Sequence, residues 1–180
     1  MLPPIDPLLG SVSRLVVSLL FAAAAFDKLR NRPMFLAVMR EYQLLPAPLL
    51  APAAAVVVCA ELFAAAGIWW PDLRTAAAGV AAGLLVAYAA AIGINLWRGR
   101  REIDCGCTFG QARQMLSPAL LVRNGLLLLP CAAGALPLGG PVDWAVGGTS
   151  LFAAGVFALC YQLFGVLLAN RPRALRLRGQ

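Results

Sequence analysis

Five apolar runs, most of them close to twenty residues long, divide this 180-residue chain and dictate most of what it can fold into. A hydrocarbon layer about 30 Å thick is crossed by about 20 apolar residues in a helix. No water is present there to satisfy backbone N–H and C=O groups, so each run must close its own hydrogen bonds as a helix. The runs extend from about Arg14 to Phe26, Leu49 to Trp70, Thr75 to Trp97, Pro118 to Leu136 and Trp144 to Leu168. The chain is 61% hydrophobic and only 13% charged, against about 25% charge in soluble domains. The expected fold is therefore all-α: a polytopic transmembrane helix bundle of four to five spans, five favoured. It forms one transmembrane domain over 1–180 that ends in a basic tail, 171–180.

The formal charge of +7 does not read as a nucleic-acid surface, which needs basic residues interleaved with aromatics on a soluble fold. Here the bases lie in strips between apolar runs, where they fix orientation and meet anionic lipid headgroups. Lys28, Arg30, Arg32 and Arg40 follow the first run, Arg98, Arg100, Arg101 and Arg113 follow the third, and Arg171, Arg173, Arg176 and Arg178 form the tail. The connections after the second and fourth runs hold only Arg74. Positive-inside counting then predicts an outside N-terminus and an inside C-terminus. The four alanines before Phe26 invite a cleavable-signal reading, but the residues before Arg14 lack a basic n-region, so the first run is taken as a retained span.

Between the first two runs, Phe35, Leu36, Met39 and Tyr42 recur at helical spacing, which predicts a short amphipathic helix at the interface, stopped by Pro46 and Pro48. Trp69 and Trp70 read as an interfacial anchor. The third run is rich in Ala and Gly, which let backbones approach, and is expected inside the bundle. Pro130 interrupts the fourth.

With no histidine and five cysteines, Ser-His and Cys-His pairs and His-containing metal sites are excluded. The sharpest feature is Cys105-Gly106-Cys107, in the only substantial polar connection. The glycine lets the backbone bend enough for the two sulfurs to meet. A strained, exposed disulfide of this kind is oxidising and labile, which suits a dithiol/disulfide couple. Nearby arginines favour a thiolate, whereas Asp104 opposes it. Two other readings stand beside this one: a pair of inert loop thiols, or half of a metal site whose other soft ligands could come only from Cys59, Cys131 and Cys160. Those three lie within spans and read as packing residues or, alternatively, relay thiols.

Glu61 sits twelve residues into the second span, where an ionised group costs roughly 2.5 to 3.5 kcal/mol. It is expected to face the interior, either accepting a thiol proton or pairing with Arg14, Arg123 or Asn95. Arg123 and Asn124, near the start of the fourth span, would steady a thiolate or anchor that helix at the headgroups. No cofactor is called for. A quinone is the one acceptor for which a bundle offers space, although the sequence carries no recognisable quinone signature.

Taken together, Phe26-Asp27-Lys28-Leu29, Tyr42-Gln43-Leu44-Leu45-Pro46, Glu61-Leu62 with Gly67, Asp104-Cys105-Gly106-Cys107 with Phe109-Gly110, and Leu121-Val122-Arg123-Asn124 resemble the MauE branch of the MauE/DoxX-like membrane proteins. In this chain Thr108 separates Cys107 from Phe109. The resemblance covers the first helix through the fourth. It implies a multi-pass protein of a bacterial inner or cytoplasmic membrane, in the methylamine-utilisation context. It further implies help in maturing the disulfide-rich small subunit of methylamine dehydrogenase, with a thioredoxin-like MauD-type partner. The function expected is membrane thiol-disulfide redox work, as disulfide formation or electron relay. The alternative is a non-catalytic scaffold or small transporter subunit.

Overall fold

The computed structural model describes residues 4–100, 102–103 and 115–178. Seven α-helices account for the secondary structure of these residues, apart from a single short 3-10 turn and isolated bridges. Five stretches are long and apolar enough to cross a membrane: Pro7–Arg30, Ala47–Gly67, Arg74–Trp97, Pro118–Ala135 and Trp144–Leu167. The favoured count of five spans is the one observed.

Helix α1 (Pro7–Arg30) starts where Asp6 accepts hydrogen bonds from the Leu8 and Leu9 amides at 2.9 and 3.1 Å. Pro7 at the first helical position costs no hydrogen bond there. The helix therefore begins seven residues before the apolar run. Helix α2 (Arg32–Tyr42) is the amphipathic segment, and Gln43 ends it in the left-handed conformation at φ 49°. That stop precedes Pro46, and Pro48 instead lies in the 3-10 turn Ala47–Leu49 that opens the second span. A sequence reading places the stop at the prolines because it cannot see a non-glycine residue adopting positive φ.

The second span continues as α3 (Leu50–Gly67) and the third is α4 (Arg74–Trp97). They close on each other at Gly67, where an added Cβ would stand 3.0 Å from the Ala77 Cβ, so a side chain there would have to push the two helices slightly apart. The fourth span is split into α5 (Pro118–Leu126) and α6 (Leu128–Ala135). The break falls at Leu127, one turn before Pro130, because the proline ring removes the donor for the Leu126 carbonyl and crowds it. Helix α7 (Trp144–Arg178) starts where Asp143 accepts from the Val146 amide at 2.8 Å, and it runs on through the basic tail.

The most buried span is α1, not α4. Val17 and Phe21 of α1 pack with Ala64, Ala65 and Ile68 of the second span and with Ala77, Ala78, Ala81 and Leu85 of α4. On α4 it is the alanines that pack, while Gly79, Gly83 and Gly93 have open space beside them. Small residues on a helix mark a close contact only on the face that a neighbour covers, which composition alone does not specify. Helix α7 packs chiefly on α1, burying Ala154 and Ser150, and leaves Leu151, Phe152, Leu159, Leu163 and Leu167 exposed for lipid.

The two ends of the bundle are distinct. At one, the Ile5 amide donates to Pro137 and the Gly139 amide to Ile5, joining the segment before α1 to the connection between α6 and α7. At the other, Ile103 and Leu116 flank the cysteine-bearing connection. The Leu116 amide donates to the Ile103 carbonyl at 3.2 Å, and both side chains pack with Val38 and Tyr42 of α2, Ile92 of α4 and Leu120 of α5. The connection between the first two spans and the one between the third and fourth therefore share an end, as five alternating crossings require.

Candidate functional site

Burial of ionisable groups inside a membrane bundle is expensive, so each one must be explained by its partners. Glu61, on the inner face of α3, is fully buried at 0% exposure, and Lys28, in the last turn of α1, is 6% exposed. The Lys28 ammonium donates to Glu61 Oε1 at 2.6 Å, and the Tyr88 hydroxyl of α4 donates to the same oxygen at 2.6 Å. The ammonium also lies 5.3 Å from the centre of the Phe35 ring and 5.5 Å from that of Tyr88, so aromatic faces supply part of the solvation that water would give. Three spans and the interfacial helix meet in this cluster.

The partner of Glu61 is thus Lys28, assisted by Tyr88, and not Arg14, Arg123 or Asn95. Arg14 lies fourteen positions before Lys28 on the same face of α1, about 21 Å away along the helix. There its Nε donates to the Gly134 carbonyl at 3.3 Å and its terminal nitrogen to the Leu136 carbonyl at 2.8 Å, satisfying groups that the end of α6 leaves open. Asn95 donates to the Ala91 carbonyl at 3.0 Å and accepts from Arg100 at 3.4 Å. Arg123 is buried, with its guanidinium 5.2 Å from the centre of the Tyr161 ring.

Arg123 and Asn124 do reach the cluster's surroundings. Together with Glu61, Lys28, Tyr88 and Tyr161 they border a small half-open pocket of about 30 Å³. Glu61 Oε2 and the Asn124 amide nitrogen are buried there without a hydrogen-bond partner among the described residues. A space of that size has room for one water molecule. On the other side, Lys28 and Tyr88 form the polar floor of a half-open cleft of about 140 Å³, walled by α2 and α4 through Phe35, Tyr42 and Ala91. Lys28 and Tyr88 face both spaces; Glu61 faces the inner one.

Sequence reasoning missed Lys28 and Tyr88. In sequence Lys28 reads as one base of a connection, although its fourteen-residue spacing from Arg14 places both on one face of α1 and it stands in the Phe26-Asp27-Lys28-Leu29 segment. Tyr88 lies in an apolar run and carries no comparable signal.

Cys105, Cys107 and Asp104 lie outside the described residues. Cys59 and Cys160 are exposed on the outside of the bundle, and Cys131 is buried in the central core; all three are free. The structure does not join them to one another. Among the described residues no group of three or more Cys, Asp or Glu side chains is arranged for a metal ion.

The family model for methylamine utilisation protein MauE matches residues 6–137, from the N-cap of α1 through the turn after α6. The chain belongs to the MauE family. Among curated relatives, methylamine utilization protein MauE of Paracoccus denitrificans is 37% identical over 98% of this chain and 97% of its own length. Its counterpart in Paracoccus versutus is 36% identical over 97% of both chains. That of Methylophilus methylotrophus is 45% identical over 57% of this chain and 54% of its own. No solved structure matches. The ion pair, the Arg14 cap and the Arg123-Asn124 pair all fall within the part matched to MauE. The protein is thus a multi-pass membrane protein of a family named for methylamine utilisation.

Proposed function

We propose that this protein is a membrane thiol-disulfide redox protein that works with a thioredoxin-like partner. In the methylamine context of its family, the client is the disulfide-rich small subunit of methylamine dehydrogenase. The observation that carries the reading is Cys105-Gly106-Cys107, a closely spaced pair in the connection whose flanks, Ile103 and Leu116, are anchored on α2 and α4. The anchored flanks, Ile103 and Leu116, fix the end of the bundle from which that connection leaves.

In the oxidising direction, a client thiolate attacks one sulfur of the Cys105–Cys107 disulfide and releases the other as thiolate. A second client thiolate then attacks the mixed disulfide, so the client gains a disulfide and the loop is left as a dithiol. In the relay direction the same exchanges run with the thioredoxin-like protein as donor. The basic strips assign the loop to the cytoplasmic side, where relay is the reading that fits; an extracytoplasmic loop fits direct oxidation.

The test is mixed-disulfide trapping with the partner, combined with membrane-impermeant maleimide labelling in intact cells. Cys105→Ser and Cys107→Ser together are expected to abolish trapping and client oxidation, and labelling of the wild type reports the side. Normal client oxidation in the double variant would sink the reading. It would favour instead a non-catalytic scaffold or small transporter subunit organised around the Lys28–Glu61 pair, which predicts silent cysteine variants and a defective Glu61→Gln.

A further inference from the structure

We propose that the half-open cleft between α2 and α4 is a binding site for the ring of a membrane quinone. Its volume, about 140 Å³, is close to that of an apolar cavity known to take up benzene, about 150 Å³, so it has room for one six-membered ring. Its walls are apolar and aromatic, and the donor at its floor is the Lys28 ammonium, the Tyr88 hydroxyl beside it being committed to Glu61. The ammonium spends one donor on Glu61 and keeps others for a carbonyl oxygen.

Charge selects among membrane-dissolved ligands. The Lys28–Glu61 pair is neutral as a unit, so the floor offers hydrogen-bond donors without a net positive charge. An uncharged carbonyl compound is matched to that floor, whereas a fatty-acid carboxylate or a lipid phosphate would have to compete with Glu61 for Lys28. The cleft lies against the amphipathic helix at the basic end, and Val38, Tyr42 and Ile92 line it while also packing against Ile103 and Leu116. The site and the two flanks of the cysteine-bearing connection, Ile103 and Leu116, therefore share one wall.

The role of the site, though not its occupancy, rests on the redox reading above. Re-forming the Cys105–Cys107 disulfide removes two electrons and two protons from two thiols. A quinone takes up two electrons and two protons as its carbonyl oxygens become the hydroxyls of the quinol. Glu61 lies behind Lys28 and Tyr88 and borders the second, smaller pocket.

The test is photoaffinity labelling of the full-length protein in lipid nanodiscs with an azido-ubiquinone, competed by decylubiquinone, with the modified peptides mapped by mass spectrometry. Labels are expected on α2 and α4, reduced at least tenfold by Ala91→Trp, which fills the cleft. Leu44→Trp at the rim provides a second block should the first variant misfold. Cys105→Ser/Cys107→Ser is expected to label normally but to form no quinol when supplied with a reduced dithiol protein. Labelling spread over the lipid face of α7 and indifferent to both tryptophans would overturn the site, as would displacement by oleate but not by decylubiquinone. Normal labelling with undiminished quinol formation in the cysteine variant would leave the site standing and remove the thiol-disulfide reading.

Discussion

Helix α1 carries two buried cations on one face, Arg14 and Lys28, and the protein handles them in opposite ways. Lys28 meets a full opposite charge, a tyrosine hydroxyl and two aromatic rings. Arg14 meets no carboxylate among the described residues. It is held by two backbone carbonyls where α6 ends, so dipoles stand in for a counter-charge. The first arrangement is neutral, borders two cavities and contains groups able to exchange protons. The second uses a cation that stays protonated to fasten the end of one helix to the middle of another. Chemistry is to be expected at the Lys28 end and structural support at the Arg14 end.

The largest effect that would break this contrast comes from Lys28→Met, which leaves Glu61 buried without its counter-charge. It is expected to cost about 3–5 kcal/mol, read as a drop in the thermal midpoint of the purified protein in detergent. The double variant Lys28→Met/Glu61→Gln should recover most of that loss; a double variant as unstable as the single one would mean that the pair is not the unit described. Arg14→Met should cost about 1–3 kcal/mol, by leaving the Gly134 and Leu136 carbonyls without donors. Because no charge is orphaned, no second substitution at a carboxylate should rescue it, and faster hydrogen exchange confined to the α6 end and the turn after it is the local signature. Tyr88→Phe removes one charge-assisted bond to Glu61 and is expected to cost about 1.5 kcal/mol, measured by the same thermal assay. Ser18→Ala removes a neutral bond to the Ala65 carbonyl, 2.8 Å long and set between the two cations. A loss of about 1 kcal/mol or less is expected, and a larger one would place a third anchor on α1.

The five spans were legible because membrane crossing demands long apolar helices, and no local preference can override that demand. The burial of Glu61 was legible for the same reason, since a carboxylate in the middle of a span has few places to go. Its partner was not. Pairing between helices depends on their rotation and relative depth, which a pattern along one helix does not encode, so Arg14 and Asn95 looked as eligible as Lys28. The centrality of α1 was likewise hidden. Its inner face is built from Val17, Phe21 and Ala25, which look no different in sequence from lipid-facing residues, whereas the glycines that drew attention to α4 turned out to face open space. The Cys105-Gly106-Cys107 motif is the reverse case: the redox reading proposed for it rests on three adjacent residues and not on the fold.

Arg14 has a consequence for the order in which the protein is made. Its two acceptors, Gly134 and Leu136, lie 120 and 122 residues further along the chain, whereas Glu61 follows Lys28 by only 33. At about 5–20 residues per second, the ribosome delivers the Lys28 partner within roughly 2–7 s but the Arg14 partners only after roughly 6–24 s. During that interval the first helix holds a guanidinium whose permanent acceptors do not yet exist. Arg14 must then remain near the membrane surface, or in the shelter of the insertion machinery, until the fourth span arrives. The docking of α6 against α1 therefore follows the pairing of Lys28 with Glu61, and α7, which also packs on α1, is delivered later still.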